Sequence, residues 1–193
     1  MEGTPALVVT AAFFTLGGLA GSFFAFRMSG AGLEVMTAYL EHFLTVAQDA
    51  QLNVPSLPEL LWRNLRWPLA AILLGFSAMG LLGIPVLSAM RGFLLAFSIA
   101  SFTMAYGHDG LAVAFFLLGI PGIVSVPAFM ILTTQSFSAA CILAGGSGRR
   151  EFPFHREHLF RCGVCAVAVC LSLLIERYLV PELVSGAASA LLG

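Results

Sequence analysis

The histidines, carboxylates and cysteines are where chemistry could arise in this chain, and their spacing falls short of it in each case. His108 and Asp109 adjoin within Gly107-His108-Asp109-Gly110. A His–Asp pair moves protons or holds a metal when a nucleophile or a further ligand stands beside it. No such residue lies near it in the sequence, so the pair reads as a polar turn. His155 and His158 flank Glu157 in an HxxH spacing, whereas zinc proteases carry HExxH, which puts both histidines on one helix face. Cys162 and Cys165 have CxxC spacing but no second pair to face. Together with Cys141 and Cys170 they lie in apolar stretches, where cysteine packs as a small hydrophobe. There is no GxSxG motif and no glycine-rich phosphate loop after a strand. The expectation is a chain with no catalytic residues, no metal and no cofactor of its own.

Three further residues stand out because their surroundings make them costly. Arg91, Gln135 and Glu176 occur in or beside long apolar runs. Polar groups at membrane depth are functional candidates by default, since hydrocarbon cannot solvate them. Each also has a milder reading. Arg91 at a span boundary can snorkel to the interface, Gln135 can bond a neighbouring helix, and Glu176 can pair with Arg177.

The elements that hold these residues are set by composition. The chain has 193 residues, 59% hydrophobic and only 10% charged. A soluble domain carries roughly 25% charged residues, so this chain could not cover a water-facing surface of ordinary polarity. Acyl chains accept Leu, Phe and Val directly, which makes a lipid-embedded fold the physical solution. The net charge of −1 offers no electrostatic footprint for nucleic acid. No linker divides residues 1–193, so a single integral membrane domain is expected.

The first apolar run extends from Pro5 to Phe26 and stops at Arg27. No basic segment precedes it and its cleavage signal is weak, so it reads as an uncleaved span rather than a signal peptide. Gly17 and Gly21 form GxxxG within it, a spacing that lets helix backbones approach closely in lipid. Either a homodimer contact or packing within one subunit would use it. Residues 28–67 then form an amphipathic arm. Leu33, Met36, Leu40, Phe43 and Leu44 recur at helical spacing, opposite Glu34, Glu41, Gln48 and Asp49. Ser56 and Glu59 suggest a capping box for a second short helix with Trp62, Arg63 and Arg66 on it. The arm either lies along the membrane surface or covers the protein's own helices.

A second span is expected from Pro68 to Ala89, with Gly75 and Gly83 as packing positions. Arg91 interrupts, and a third run follows from Gly92 to Tyr106. The apolar run from Leu111 to Gly146 exceeds what one straight span needs, and Pro121, Gly122 and Pro127 divide it. A broken or re-entrant helix near Pro121 follows, tolerated only where protein or water covers the freed backbone. A last span from Leu159 to Val180 completes an all-α, polytopic helical membrane protein of about five spans. Arginine placement, chiefly Arg149, Arg150 and Arg156 in one loop, favours an inside N-terminus and an outside C-terminus in a bacterial cytoplasmic membrane.

The order of these elements is recognisable. Asn64-Leu65-Arg66 leads into a span with Gly75, Gly80, Gly83 and Pro85, followed by Arg91-Gly92 and Phe97. After them come Gly107-His108-Asp109-Gly110, Leu118-Gly119-Ile120-Pro121 and Val126-Pro127-Ala128-Phe129. This pattern resembles the stage II sporulation protein M family over nearly the whole chain. Broader relatives carry a His-Gly and a Glu around the proline break, and residues 121–127 here have neither. The resemblance implies a non-catalytic membrane scaffold for peptidoglycan remodelling during sporulation engulfment, at the septal membrane of the mother cell. It implies stage II sporulation proteins D and P as partners, both peptidoglycan hydrolases. A reading of a different class, a small channel or transporter permease subunit, rests on the broken helix and Gln135.

Overall fold

The computed structural model describes residues 3–28, 31–48, 57–77 and 79–144, and helical positions Val164, Cys165, Val167, Ala168, Leu171, Ser172 and Leu174. Every regular element among them is helical. Helix α1 covers Gly3–Arg27, α2 Ala31–Gln48, α3 Leu57–Gly75, α4 Gly80–Ala114 and α5 Ile120–Ala144, with a π-helical turn at Phe115–Gly119 joining α4 to α5.

Two stretches are long and apolar enough to cross a membrane, Pro5–Arg27 and Gly80–Ala144. Leu19 on α1 is 69% exposed and Leu82 on α4 is 78% exposed. A soluble protein would bury such helices, so their outward leucines and phenylalanines need hydrocarbon around them. The second stretch has 65 residues, which as one rod would run ~100 Å at 1.5 Å per residue. It doubles back instead. Gly107 leaves the helical region with φ 61° and ψ −133°, a conformation open essentially to glycine. Beyond it the chain returns alongside itself: a Cβ on Gly110 would overlap the Phe102 carbonyl oxygen, and Phe102 packs with Val113 and Ala114. The chain is thus a multi-pass helical protein.

Helices α1 and α4 are parallel neighbours, because Gly17 meets Ala89 and Gly21 meets Phe93. The ring of Phe24 lies 6.2 Å from each of Phe93 and Phe97 farther along. Helix α5 is antiparallel to both. Thr10 of α1 approaches Thr134 of α5, hydroxyl to hydroxyl at 3.2 Å, and Ala6, Ile84, Phe137 and Ala140 form a common core. Helix α3 returns the chain between α1 and α4 and packs along α5, with Gly75 against Ser136.

Three expected boundaries fall elsewhere. No break occurs at Arg91, which lies inside α4. The turn is at Phe76–Met79, where the Met79 N–H donates to Ser77 Oγ at 3.2 Å and the Gly80 N–H to the Ser77 carbonyl at 2.9 Å. Helix hydrogen bonds are made by the backbone and arginine is a good helix former, so one charge does not end a helix. The short arm helix and the start of the expected second span, up to Gly75, are one helix, α3, with Pro68 inside it, and the rest of that span belongs to α4 from Gly80 onward. Nor is the chain broken over Pro121–Pro127: Ile120–Ala144 is a single helix with Pro127 inside. Pro121 sits in its first turn, where a missing N–H costs least. The π-turn just before it has the Ile120 N–H bonded to the Phe115 carbonyl, five residues back. This wider turn relieves the crowding a proline ring creates against the preceding carbonyl. The suggested capping residue Ser56, the basic loop at 149–161 and Glu176 lie outside the described residues.

Candidate functional site

A cleft of about 680 Å³ opens where α2, α3, α4, the π-turn, α5 and the last helical segment converge. Its polar lining comes from Tyr39, Arg66, Arg91, Ser98, Ser125 and Ser172, and its apolar lining includes Leu94, Leu95, Leu117 and Leu118. Arg91 is carried ~16 Å along α4 from Gly80. This removes it from the boundary position expected of it and puts it deep in an apolar span. Aromatic faces receive it there. Its guanidinium carbon lies 5.6 Å from the Trp67 ring centroid and 5.8 Å from that of Phe129. Arg66, the residue before Trp67 on α3, also stands over the indole at 5.6 Å. One indole therefore gathers two guanidiniums at the cleft. Stacking of this kind is worth about 0.5–2 kcal/mol per pair, more when water is excluded.

Two of the four hydroxyls that line the cleft are bonded to backbone carbonyls. Ser98 Oγ donates to the Leu94 carbonyl at 2.9 Å, and Ser172 Oγ to the Pro121 carbonyl at 3.1 Å. The latter bond ties the last helical segment to the first turn of α5. It also occupies a carbonyl beside the π-turn.

The residues singled out from the sequence separate into three groups. Gly17, Gly21 and Gly92 lie at the α1–α4 contact, where an added Cβ would overlap the carbonyl oxygens of Ala89, Phe93 and Phe14. Gly75 sits at α3–α5, 2.9 Å from Ser136 Cβ by the same construction, and Gly83 faces the flexible end of Leu74. On the arm, Leu40 is buried with Met36 beside it against Phe102, Val113 and Ala114, while Trp62 and Arg66 are exposed. Leu33, Phe43, Leu44 and Arg63 occupy helical positions on α2 and α3 whose side chains lie outside the description. Of the proline-break residues, Pro121 and Gly122 line the cleft, and Pro127 is exposed on α5.

Tyr39, Trp67, Ser98, Ser125 and Ser172 were not anticipated as neighbours. The one signal was Arg91, a charge in an apolar run, with Trp67 the nearest indole upstream in the sequence. Among the described residues, no group of three His, Cys, Asp or Glu side chains could hold a metal ion.

The doubled helical stretch, the glycine-packed helix pair and the arm over the Gly107 reversal provide the frame for comparison with known proteins. No curated protein and no solved structure matches the chain. A family model described as stage II sporulation protein M matches residues 10–181 of the 193. The chain belongs to the stage II sporulation protein M family.

Proposed function

We infer that this protein is a non-catalytic membrane scaffold that recruits peptidoglycan hydrolases during sporulation engulfment, with α2 as its recruiting surface. The observation that carries this reading is the posture of α2. Leu40 and Met36 hold one side of the helix to the α4 reversal. Val35, 71% exposed, lies outside that contact, while Tyr39, 70% exposed, stands at the cleft. An amphipathic helix docked by one edge and apolar on another has surface left for a partner. Family membership supplies the context of sporulation, and stage II sporulation proteins D and P are the proposed partners.

In this reading the N-terminus and the Phe76–Met79 turn face the cytoplasm, while α2 and Gly107 face the septal space. Co-purification of the two hydrolases with the wild-type chain and with a Val35→Glu variant tests it. The variant should keep its amount in the membrane and lose hydrolase capture. Full capture by Val35→Glu and by a deletion of residues 31–48 would remove α2 from the interface.

A further inference from the structure

Helix α1 is a ruler for depth in the membrane. Its apolar stretch Pro5–Arg27 has one bilayer-crossing length, and Gly17 and Gly21, near the middle of that stretch, meet Ala89 and Phe93 of α4. Arg91 lies between those two contacts and so stands near the middle of the bilayer. Arg66 enters at a similar depth, because its neighbour Trp67 is the indole over which Arg91 stands. Mid-depth is about 15 Å from either edge of the hydrocarbon, farther than an arginine side chain reaches by snorkelling.

At this depth the surface of the bundle is divided. Leu19 and Met90, 69% and 53% exposed, lie outside the cleft and are apolar, as contact with acyl chains requires. Arg66 is exposed too, but it lines the cleft together with Ser98 and Ser125. Ser125 precedes Phe129, the second ring beside Arg91, by one turn of α5. Charged side chains within membrane segments face either the protein interior or a water-filled cavity. An exposed arginine is not in the interior, so the cavity is what solvates it. Its volume of about 680 Å³ has room for about twenty waters at ~30 Å³ each.

The described residues close this cleft at one end. At its rim stands Tyr39 of α2, and the next residue, Leu40, packs on Phe102, ~16 Å along α4 from Arg91. In the other direction α4 enters a sealed layer. Ser88 and Ile84 are fully buried, and Ile84 packs with Ala6, Phe137 and Ala140.

We propose that the cleft is a water-filled vestibule, entered from the α2 side, that carries solvent to mid-membrane depth and ends blind at the Ser88–Ile84 layer. A hydrophilic group from solution reaches Arg66 and Ser125 through it without entering lipid. The vestibule depends on the embedding of the helices, and neither on hydrolase recruitment nor on which compartment α2 faces.

Cysteine accessibility tests this in the full chain, in a background without the four native cysteines. The probe is a charged, membrane-impermeant methanethiosulfonate, and intact cells and inverted vesicles present the two sides. His108→Cys, exposed beyond Gly107, identifies the side on which α2 lies. Only the thiolate reacts, and apolar surroundings hold a thiol protonated. From the His108 side, Ser125→Cys should therefore react at least about a hundredfold faster than Met90→Cys or Leu19→Cys. From the opposite side none of the three should react. Ser125→Cys reacting no faster than Met90→Cys overturns the proposal, and so does its reaction from both sides, which would make the cleft a through-pore. A second measurement keeps the native cysteines. Trp62→Phe leaves Trp67, which lines the cleft, as the sole indole. Its fluorescence should be quenched by aqueous iodide and not by lipids brominated at mid-chain, and the reverse result also overturns the vestibule.

Discussion

Gly17 of α1 lies so close to Ala89 of α4 that a Cβ on the glycine would overlap the alanine's carbonyl oxygen. The contact is backbone against backbone, and neither chain can yield without shifting a helix. Its neighbour differs. A Cβ on Gly18 would stand 3.7 Å from Ala96 Cβ, in ordinary van der Waals contact. Gly17→Ala should therefore cost about 1–3 kcal/mol of overpacking, while Gly18→Ala should be tolerated. Thermal aggregation of the two variants in detergent measures the contrast. The GxxxG spacing is thereby used within one subunit, between parallel helices.

The reversal at Gly107 leads to a second pair of substitutions. Nothing lies within 4 Å of a Cβ built at Gly107 or at Gly122. Gly107 alone holds a positive φ, 61°. Gly107→Ala should then lose about 1–3 kcal/mol through backbone strain with no steric contribution. Gly122→Ala should be neutral or gain up to about 1 kcal/mol from helix propensity. Urea or sodium dodecyl sulfate titration followed by circular dichroism separates the two. Equal losses would show that space, not conformation, governs both positions.

Leu40 fixes the arm. It is 6% exposed and packs on Phe102, Val113 and Ala114, so Leu40→Ala should weaken docking of α2 by about 2 kcal/mol or more. The spans should remain intact, because few other described contacts join α2 to them. Limited proteolysis should then cut near residues 28–31 faster than in the wild type. Val35→Glu, on the outward side, should leave the cutting rate unchanged.

Orientation can be read from two exposed residues, one just before α4 and one at its reversal. Ser77 precedes the helix and His108 follows Gly107, with ~40 Å of helix between them. That length exceeds the hydrocarbon core of about 30 Å. In a background without native cysteines, His108→Cys should react with a membrane-impermeant maleimide added to intact cells. Ser77→Cys should react only after permeabilisation. The reverse pattern would invert the proposed topology and move α2 to the cytoplasmic side.

Some of this architecture is local enough to be read from residue order. Helix formation and membrane preference depend on neighbours in the chain, so Pro5–Arg27 was legible as a span from its apolar run and the arginine that ends it. The period of Met36 and Leu40 likewise marked one side of α2, although only packing showed that this side meets α4. The boundaries that moved were those where a residue's usual habit competes with its surroundings. Arg91 commonly marks an interface, but Trp67 and Phe129 from two other helices give its charge a place inside the bundle. Pro121 commonly breaks a helix, but a π-turn one residue upstream makes room for its ring.

Composition and periodicity by themselves determined that the chain is helical, apolar and built to lie in lipid, because those properties sum over neighbouring residues. Which helices pair, where the long stretch turns back and which side chains share a cleft were decided by tertiary structure. Tyr39, Arg66, Arg91, Gly122 and Ser172 come from five separate helical segments. No pattern along the chain joins them. They meet because glycines let the backbones close up and one glycine at 107 lets the chain reverse.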